Sequence, residues 1–278
     1  MPRLVNVTRE SPDIPARLRR EGKHFLLPVY HLLRMSELGR EGIEHNGSFR
    51  FADHIYRGEP RGSNLLGHVL DRILLSLPSA RSFRNRYLGS RDALRVLVEE
   101  RRKSDQPIDI LAVPSGLARE LFDVAEEIGE DAALVERTTF HFIDLDSEPL
   151  SLVSENAEKR KVKANITQGD ALSHDTYNEA GYDAIVSLGF AEFLSDEETV
   201  AFYRLARTKL RPGGKLITSG LLPHKLSDYL MRQFAELHTS YRSREVLLRL
   251  AREAGFESME ATTDKHGLQT LLICTHTS

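Results

Sequence analysis

The chain has 278 residues, of which 40% are hydrophobic and 28% are charged, a composition typical of a globular protein rather than a disordered one. This length is enough for one large domain, or for a core domain with an accessory lobe. The single cysteine, Cys274, excludes a disulfide scaffold, a zinc finger and an iron–sulfur cluster.

The hydropathy of the sequence indicates where in the cell the protein resides. No apolar run approaches the roughly 20 residues that a membrane span requires, and Met1 to Glu10 lacks the apolar segment of a signal peptide. We therefore expect a cytoplasmic protein without a membrane partner.

Charge is distributed unevenly along the chain. Residues 1–105 hold 20 Lys and Arg against 13 Asp and Glu, whereas residues 106–278 hold 18 against 28. The basic front part fits either an anionic partner or a surface that faces an acidic neighbour.

Residues 1–105 carry helical periodicity. One segment closes at Pro78, and a second, from Phe83 to Val98, fits one or two helices. The first segment contains the apolar residues Leu65, Leu66, Val69, Leu70, Ile73, Leu74 and Leu77. We expect an N-terminal helical lobe over 1–105 that acts as a lid or substrate lobe on a second domain, 106–278.

From Ile108 onward, short β-rich runs alternate with helical stretches, the pattern of a doubly wound α/β sheet. No helical stretch separates the last two runs, which predicts an antiparallel hairpin. The seven candidate strands are 108–113, 140–143, 162–167, 184–188, 215–219, 256–261 and 268–274.

Ligands of such sheets bind at the carboxyl ends of the strands, so the residues that follow each strand are the candidates for a site. Asp144 is placed to accept hydrogen bonds from ribose hydroxyls, and Asp170 with Ala171 could read the edge of an adenine ring. No Walker loop is present, which argues against nucleoside triphosphates. The candidate positions after the first four strands are Pro114, Gly116, Asp144, Asp170, Ala171, Ser187 and Gly189.

The order of these segments resembles the class I S-adenosylmethionine-dependent methyltransferases over residues 106–278. The resemblance implies a seven-stranded, mostly parallel sheet in the order 3-2-1-4-5-7-6 with strand 7 antiparallel. It also implies S-adenosylmethionine as the cofactor, bound across strands 1 to 4. By this resemblance the turn 114–118 replaces the family's glycine-rich motif, Asp144 binds the ribose, and Leu145, Asp170 and Ala171 contact the adenine.

The first motif departs from the family pattern, because Pro114 stands where a glycine is usual and has no N–H to donate. The segments 77–86 and 114–121 are similar to those of a narrower group, the bacterial methyltransferases proposed to esterify 3-hydroxy fatty acids. In that group a Gly-Tyr-Ala-Gly-Asp segment and a Gly-Cys-Gly turn are expected, whereas this chain has Arg-Gly-Ser-Asn at 61–64 and Pro-Ser-Gly at 114–116.

The acceptor chemistry decides which side chains catalysis needs. A carboxylate acceptor is ionised at neutral pH and requires no base, so Arg84 and Arg86 are candidates to bind it. A hydroxyl acceptor requires a base, for which His224 is the first candidate. The pair Tyr30-His31, His45 and His54 in the front part are further candidates. No metal-ligand spacing is found, and no metal is predicted.

The leading hypothesis is a methyltransferase acting on a small-molecule acceptor. A nucleic-acid methyltransferase is disfavoured, because the basic lobe has no dense Lys and Arg run with interleaved aromatic residues. A non-catalytic relative, acting as a binding or regulatory subunit, stays open because of the altered first motif. The oligomeric state is left open by the sequence.

Overall fold

The computed structural model describes residues 14–45, 48–235 and 238–277, so the predicted absence of a signal peptide at Met1 to Glu10 falls outside the described residues. The chain divides into two compact units. The helical unit holds the chain up to Arg84 together with Pro223–Thr239. The sheet unit holds Asn85–Leu222 and the chain from Ser240 onward.

This division differs from the predicted boundary at residue 105. It falls inside a single long helix, Pro78–Arg102, where the sequence left one or two helices open. The second half of that helix belongs to the sheet unit because Leu94, Leu97 and Val98 are buried in the core of the sheet. The apolar face of the helix, rather than the change in sequence rhythm, sets the boundary.

The sheet has the predicted seven strands in the predicted order, β3-β2-β1-β4-β5-β7-β6. Strands β1 to β5 pair in parallel, whereas β7 is antiparallel to both β5 and β6, which confirms the terminal hairpin. The strands are β1 (Ile108–Ala112), β2 (Thr138–Asp144), β3 (Ala164–Gln168), β4 (Tyr182–Ser187), β5 (Leu210–Leu221), β6 (Ser258–Thr263) and β7 (Gln269–Thr275).

Helices cover the sheet and build the helical unit. They are α1 (Ile14–Arg20), α2 (Leu27–Leu33), α3 (Glu37–Glu44), α4 (Phe49–Arg57), α5 (Leu65–Ser76), α6 (Pro78–Arg102), α7 (Arg119–Ile128), α8 (Ala132–Arg137), α9 (Ser147–Arg160), α10 (Asp196–Lys209), α11 (Lys225–Leu230) and α12 (Arg244–Glu253). Short 3-10 turns at 24–26, 174–176 and 191–193 and a π-helical turn at 231–235 complete the regular structure of the described residues.

Strand β4 is buried along its whole length, as a central parallel strand covered on both faces should be. His141 on β2 is buried, and its Nε2 lies 2.7 Å from Asp109 Oδ1. Cys274 is also buried, and this burial raises the pKa of its thiol. Neither side chain reaches the carboxyl edge of the sheet.

The segment Arg211–Gly214, which contains one proline and two glycines, lies within β5, where the register with β4 shifts between the pairs Tyr182–Leu210 and Ala184–Lys215. Gly213 has a φ of +76°, in the left-handed region that glycine tolerates. The proline and glycines therefore form an irregular stretch of strand, and α10 ends just before it at Lys209.

Candidate functional site

The turn after β1 is tied to both neighbouring strands. The N–H of Val113 donates to the Val186 carbonyl of β4 at 2.9 Å, and the N–H of Ser115 donates to the Ile143 carbonyl of β2 at 2.8 Å. Gly116 has a φ of +47°, which turns the chain sharply before α7. Pro114 lies half-buried in this turn, at the carboxyl end of β1. The neighbouring strands of the sheet thus help to hold the turn in place.

Asp144 is the last residue of β2, and its carboxylate faces that turn. The N–H of Gly116 donates to Oδ2 at 2.9 Å, and the N–H of Asp146 donates to Oδ1 at 3.1 Å. Burial raises the pKa of Asp144 above its ordinary value, although these two hydrogen bonds oppose the rise. Leu145, the next residue, is 41% exposed, an apolar side chain at an edge that is otherwise polar.

Asp170 lies at the same edge as Asp144. The N–H of Gly169 donates to the backbone carbonyl of Asp144 at 2.9 Å, which places the turn after β3 beside the end of β2. Asp170 Oδ1 accepts from the Leu172 N–H at 2.9 Å, and Ala171 is buried. A Cβ at Gly169 would lie 2.3 Å from the Thr176 side chain, so this approach requires a glycine.

Ser187 and Gly189 lie at and just beyond the end of β4. The Oγ of Ser187 is buried and has no hydrogen-bond partner among the described residues, which is uncommon for a buried hydroxyl. Gly189 has a φ of +81°, and its N–H donates to Ser219 Oγ at 3.1 Å. The structure therefore brings together, at the ends of β1, β2, β3 and β4, the residues that the sequence placed in the cofactor site.

A buried ion pair lies against this edge within the sheet unit. Arg86 Nη1 donates to Glu192 Oε1 at 3.0 Å, and both side chains are almost completely buried. A Cβ at Gly189 would lie 3.0 Å from Arg86 Nη1, so the guanidinium packs directly against that glycine. Burial raises the pKa of Glu192, and the charges of Arg86 and Arg242 oppose the rise. Arg86 is thus committed to Glu192.

A family model described as "Putative methyltransferase" matches residues 36–276. The chain belongs to this methyltransferase family. Its match spans most of both units, so the helical unit is part of the family's architecture and not an addition to it. No curated protein matches the chain.

Solved structures show the same methyltransferase fold. One, described as a possible exported protein from Bordetella parapertussis, is 21% identical over 96% of each chain, with a TM-score of 0.76. A carbon methyltransferase, CurJ, is 14% identical over 95% of this chain and 70% of its own, with a TM-score of 0.59. The magnesium protoporphyrin IX methyltransferase of Synechocystis PCC 6803 is 11% identical over 81% and 93%, with a TM-score of 0.54.

The candidate acceptor residues belong to different units, Arg84 and His224 to the helical unit and Arg86 to the sheet unit. Residues two apart on a helix point in different directions, and Arg84 belongs to the helical unit, where its guanidinium donates to the Leu75 carbonyl. His224, also in the helical unit, caps α11: its Nδ1 accepts from the Ser227 N–H at 3.3 Å. His54 is completely buried, with Nδ1 2.8 Å from Glu41 Oε2, so it cannot act as a base for an external acceptor.

Two buried carboxylates close to the candidate site were missed by the sequence analysis. Glu192 follows β4 in the segment 190–193, and its acidic character inside an apolar run was a signal that could have been used. Glu120 is the second residue of α7, and burial raises its pKa to about 7, with Arg86 opposing the rise. Its place in an ordinary amphipathic pattern gave no signal.

In the part of the chain that the structure describes, no cluster of three or more metal-ligating side chains is found, and no helix is both long and apolar enough to cross a bilayer. One structural relative is described as a possible exported protein. The cytoplasmic location therefore stays a prediction.

Proposed function

We propose that this methyltransferase transfers the methyl group of S-adenosylmethionine to an oxygen of a small-molecule acceptor, a carboxylate such as that of a hydroxy fatty acid. The observation that carries the cofactor assignment is the hydrogen bond between Gly169 and Asp144, which sets Asp144 and Asp170 side by side. The structural relative from Synechocystis, which was solved with bound S-adenosylhomocysteine, supports the same cofactor.

The residues present fit this cofactor. Each Asp144 oxygen accepts one backbone N–H and keeps a lone pair for a ribose hydroxyl. The exposed Leu145 offers an apolar surface for an adenine ring, with Asp170 and Ala171 next along the edge. The unpartnered Ser187 Oγ is a polar atom that a ligand at the end of β4 would satisfy.

Bound S-adenosylmethionine supplies a methyl group activated by a positively charged sulfur. A carboxylate acceptor needs no base, so the chain has only to hold its oxygen in line with that methyl group. Arg86 packs against Gly189 and forms an ion pair with Glu192, so it is not free to bind the acceptor. Arg84 for a carboxylate acceptor and His224 for a hydroxyl acceptor remain proposals.

The cofactor assignment is tested by calorimetry with S-adenosylmethionine and S-adenosylhomocysteine on the full chain. Asp144→Asn removes the charge and one acceptor, so both ligands should bind roughly 10- to 100-fold more weakly, the loss expected for a charged hydrogen bond. Asp175→Ala, at an exposed acidic position in the turn 174–176, is the matched control and should leave both affinities unchanged.

Two results would contradict the proposal. If the native chain binds neither ligand at millimolar concentration, the chain is a non-catalytic relative with a binding or regulatory role. If it binds cofactor but also binds RNA with strong salt dependence, the acceptor is a nucleic acid rather than a small molecule.

A further inference from the structure

Helix α5 exposes its apolar residues. Leu65 is 83% exposed and Ile73 is 52% exposed, whereas apolar residues on a surface helix usually face the core. We call the exposed stripe the α5 face; it consists of Leu65, Leu66, Val69, Ile73 and Leu77. Their spacing of one, three and four residues puts them on a single side of the helix.

The opposite side of α5 is held by a buried carboxylate. Asp71 is completely buried and accepts hydrogen bonds from Ser36 Oγ, from the Leu38 N–H at 3.1 Å and from the Arg61 N–H at 2.8 Å. Rotating the helix to bury its leucines would expose these donors and break all three bonds. The α5 face is therefore fixed outward by the structure beneath it.

The chain segment that contains α5 is rich in arginine. Residues 60–84 contain four arginines and one acidic residue, Asp71, which is buried. Arg61, Arg72 and Arg81 are exposed, and among the described residues none of the three has a carboxylate partner. A partner for this surface should therefore combine an apolar interior with negative charge.

We propose that the α5 face docks on the surface of an anionic lipid bilayer. A convex apolar helix face flanked by arginines is the pattern of helices that lie in the membrane interface, with the cations near the lipid headgroups. A second copy of the chain fits less well, because pairing two α5 faces would bring their arginines against each other.

Docking on a membrane surface departs from the expectation that the protein has no membrane partner, and it does not depend on the proposed methyl transfer. The sequence predicted no membrane partner because no segment can span a bilayer, and no described helix does. Docking on a surface needs only an exposed apolar face. Which side of the 65–77 segment faces outward depends on Asp71, and the sequence alone did not show that Asp71 is buried.

The test is co-flotation of the full chain with lipid vesicles. The native protein should float with vesicles of phosphatidylcholine mixed with phosphatidylglycerol and remain in the lower fraction with phosphatidylcholine alone. Raising the salt concentration should weaken the association, because exposed charges are screened.

Matched variants separate the α5 face from general stickiness. Val69→Gln with Ile73→Gln should lower the vesicle partition coefficient roughly tenfold or more, since two apolar side chains no longer enter the lipid. Val96→Gln on α6, at a position 55% exposed in the sheet unit, should not change it. Arg72→Gln with Arg81→Gln should reduce the preference for anionic vesicles, whereas Arg252→Gln on α12 should not.

Three outcomes overturn the proposal. One is that the native chain does not float with anionic vesicles. Another is that the α5 double variant floats as well as the native chain while both keep the native circular dichroism spectrum. The third is a native dimer, seen by light scattering, that the α5 double variant converts to a monomer, in which case a second copy covers the face.

Discussion

The arginines on α6 in the sheet unit differ in their ion pairing from those near α5 in the helical unit. In the sheet unit the arginines of α6 are paired: Arg101 Nε lies 3.1 Å from Asp183 Oδ1, and Arg102 Nη1 lies 2.9 Å from Asp131 Oδ2. In the helical unit Arg61, Arg72 and Arg81 have no carboxylate partner among the described residues. The basic front part of the sequence thus contains both an internally neutralised surface and a cationic surface that points outward.

The two units also contain buried carboxylates whose pKa values shift in opposite directions. Asp71 in the helical unit would have its pKa raised by burial, but hydrogen bonds from Ser36, Arg61 and Leu38 outweigh that effect and lower the pKa. Glu120 in the sheet unit is equally buried, yet burial dominates and its pKa rises to about 7. One carboxylate stabilises its unit as an anion, and the other is more stable when protonated.

The strongest test of this contrast is Asp71→Ala. Removing the carboxylate leaves three buried donors without an acceptor, which should destabilise the helical unit by about 3 kcal/mol or more. Hydrogen exchange measured on peptides of α3 and α5 reports this loss for the helical unit alone. Asp92→Ala, at a position 59% exposed on α6, is the control and should change protection by less than about 1 kcal/mol.

The stability that Asp71 gives to the helical unit should depend on pH. Because the folded pKa of Asp71 lies below its unfolded value of 3.8, this stabilisation is present above pH 3.8 and is lost as the pH falls through the folded pKa. Unchanged exchange in α3 and α5 after Asp71→Ala would mean that Asp71 does not hold the helix, and the outward α5 face would lose its explanation.

Glu120→Gln tests the other carboxylate and should stabilise the sheet unit. An unfolded glutamate titrates near 4.5 and the folded one near 7, so the native chain loses stability as the pH rises between these values. The glutamine variant carries no charge to bury. Its free energy of unfolding should match the native value near pH 4.5 and exceed it by up to about 3 kcal/mol above pH 7.

Leu121→Ala on the same helix is the control for a mutation that merely disturbs α7, because Leu121 is completely buried and carries no charge. It should destabilise the chain by a similar amount at every pH. A Glu120→Gln difference that is flat with pH would show that Glu120 is ionised in the folded protein across this range.

Much of the sheet unit could be predicted from the sequence, for a physical reason. Central parallel strands such as β1 and β4 are buried on both faces and read as short apolar runs, and the ligand edge follows from where they end. Asp144 and Asp170 were found in this way. Glu192 was not, because its effect depends on Arg86 lying against Gly189, a contact between distant parts of the chain.

The helical unit was harder to predict because α5 is not an ordinary amphipathic helix. The apolar periodicity of residues 65–77 located α5 correctly, but the usual inference that this face is buried is wrong for this helix. The segment 223–239, which belongs to the helical unit, lies far from it in sequence. Arg84 and Arg86 were assigned the same role, although side chains two residues apart on a helix point in different directions.

The smallest expected change in stability comes from replacing single arginines, one that is ion-paired and one that is not. Arg95 on α6 is ion-paired with Glu127, and both side chains are largely exposed, so Arg95→Gln should cost between about 0.2 and 1 kcal/mol. Arg72→Gln on α5 should cost nothing measurable, because Arg72 has no partner to lose among the described residues. Urea unfolding at low salt measures both, and at high salt the cost of Arg95→Gln should shrink because exposed charges are screened. If Arg72→Gln proves as costly as Arg95→Gln, Arg72 is engaged within the chain, and the cationic surface of the helical unit is not free to meet an anionic partner.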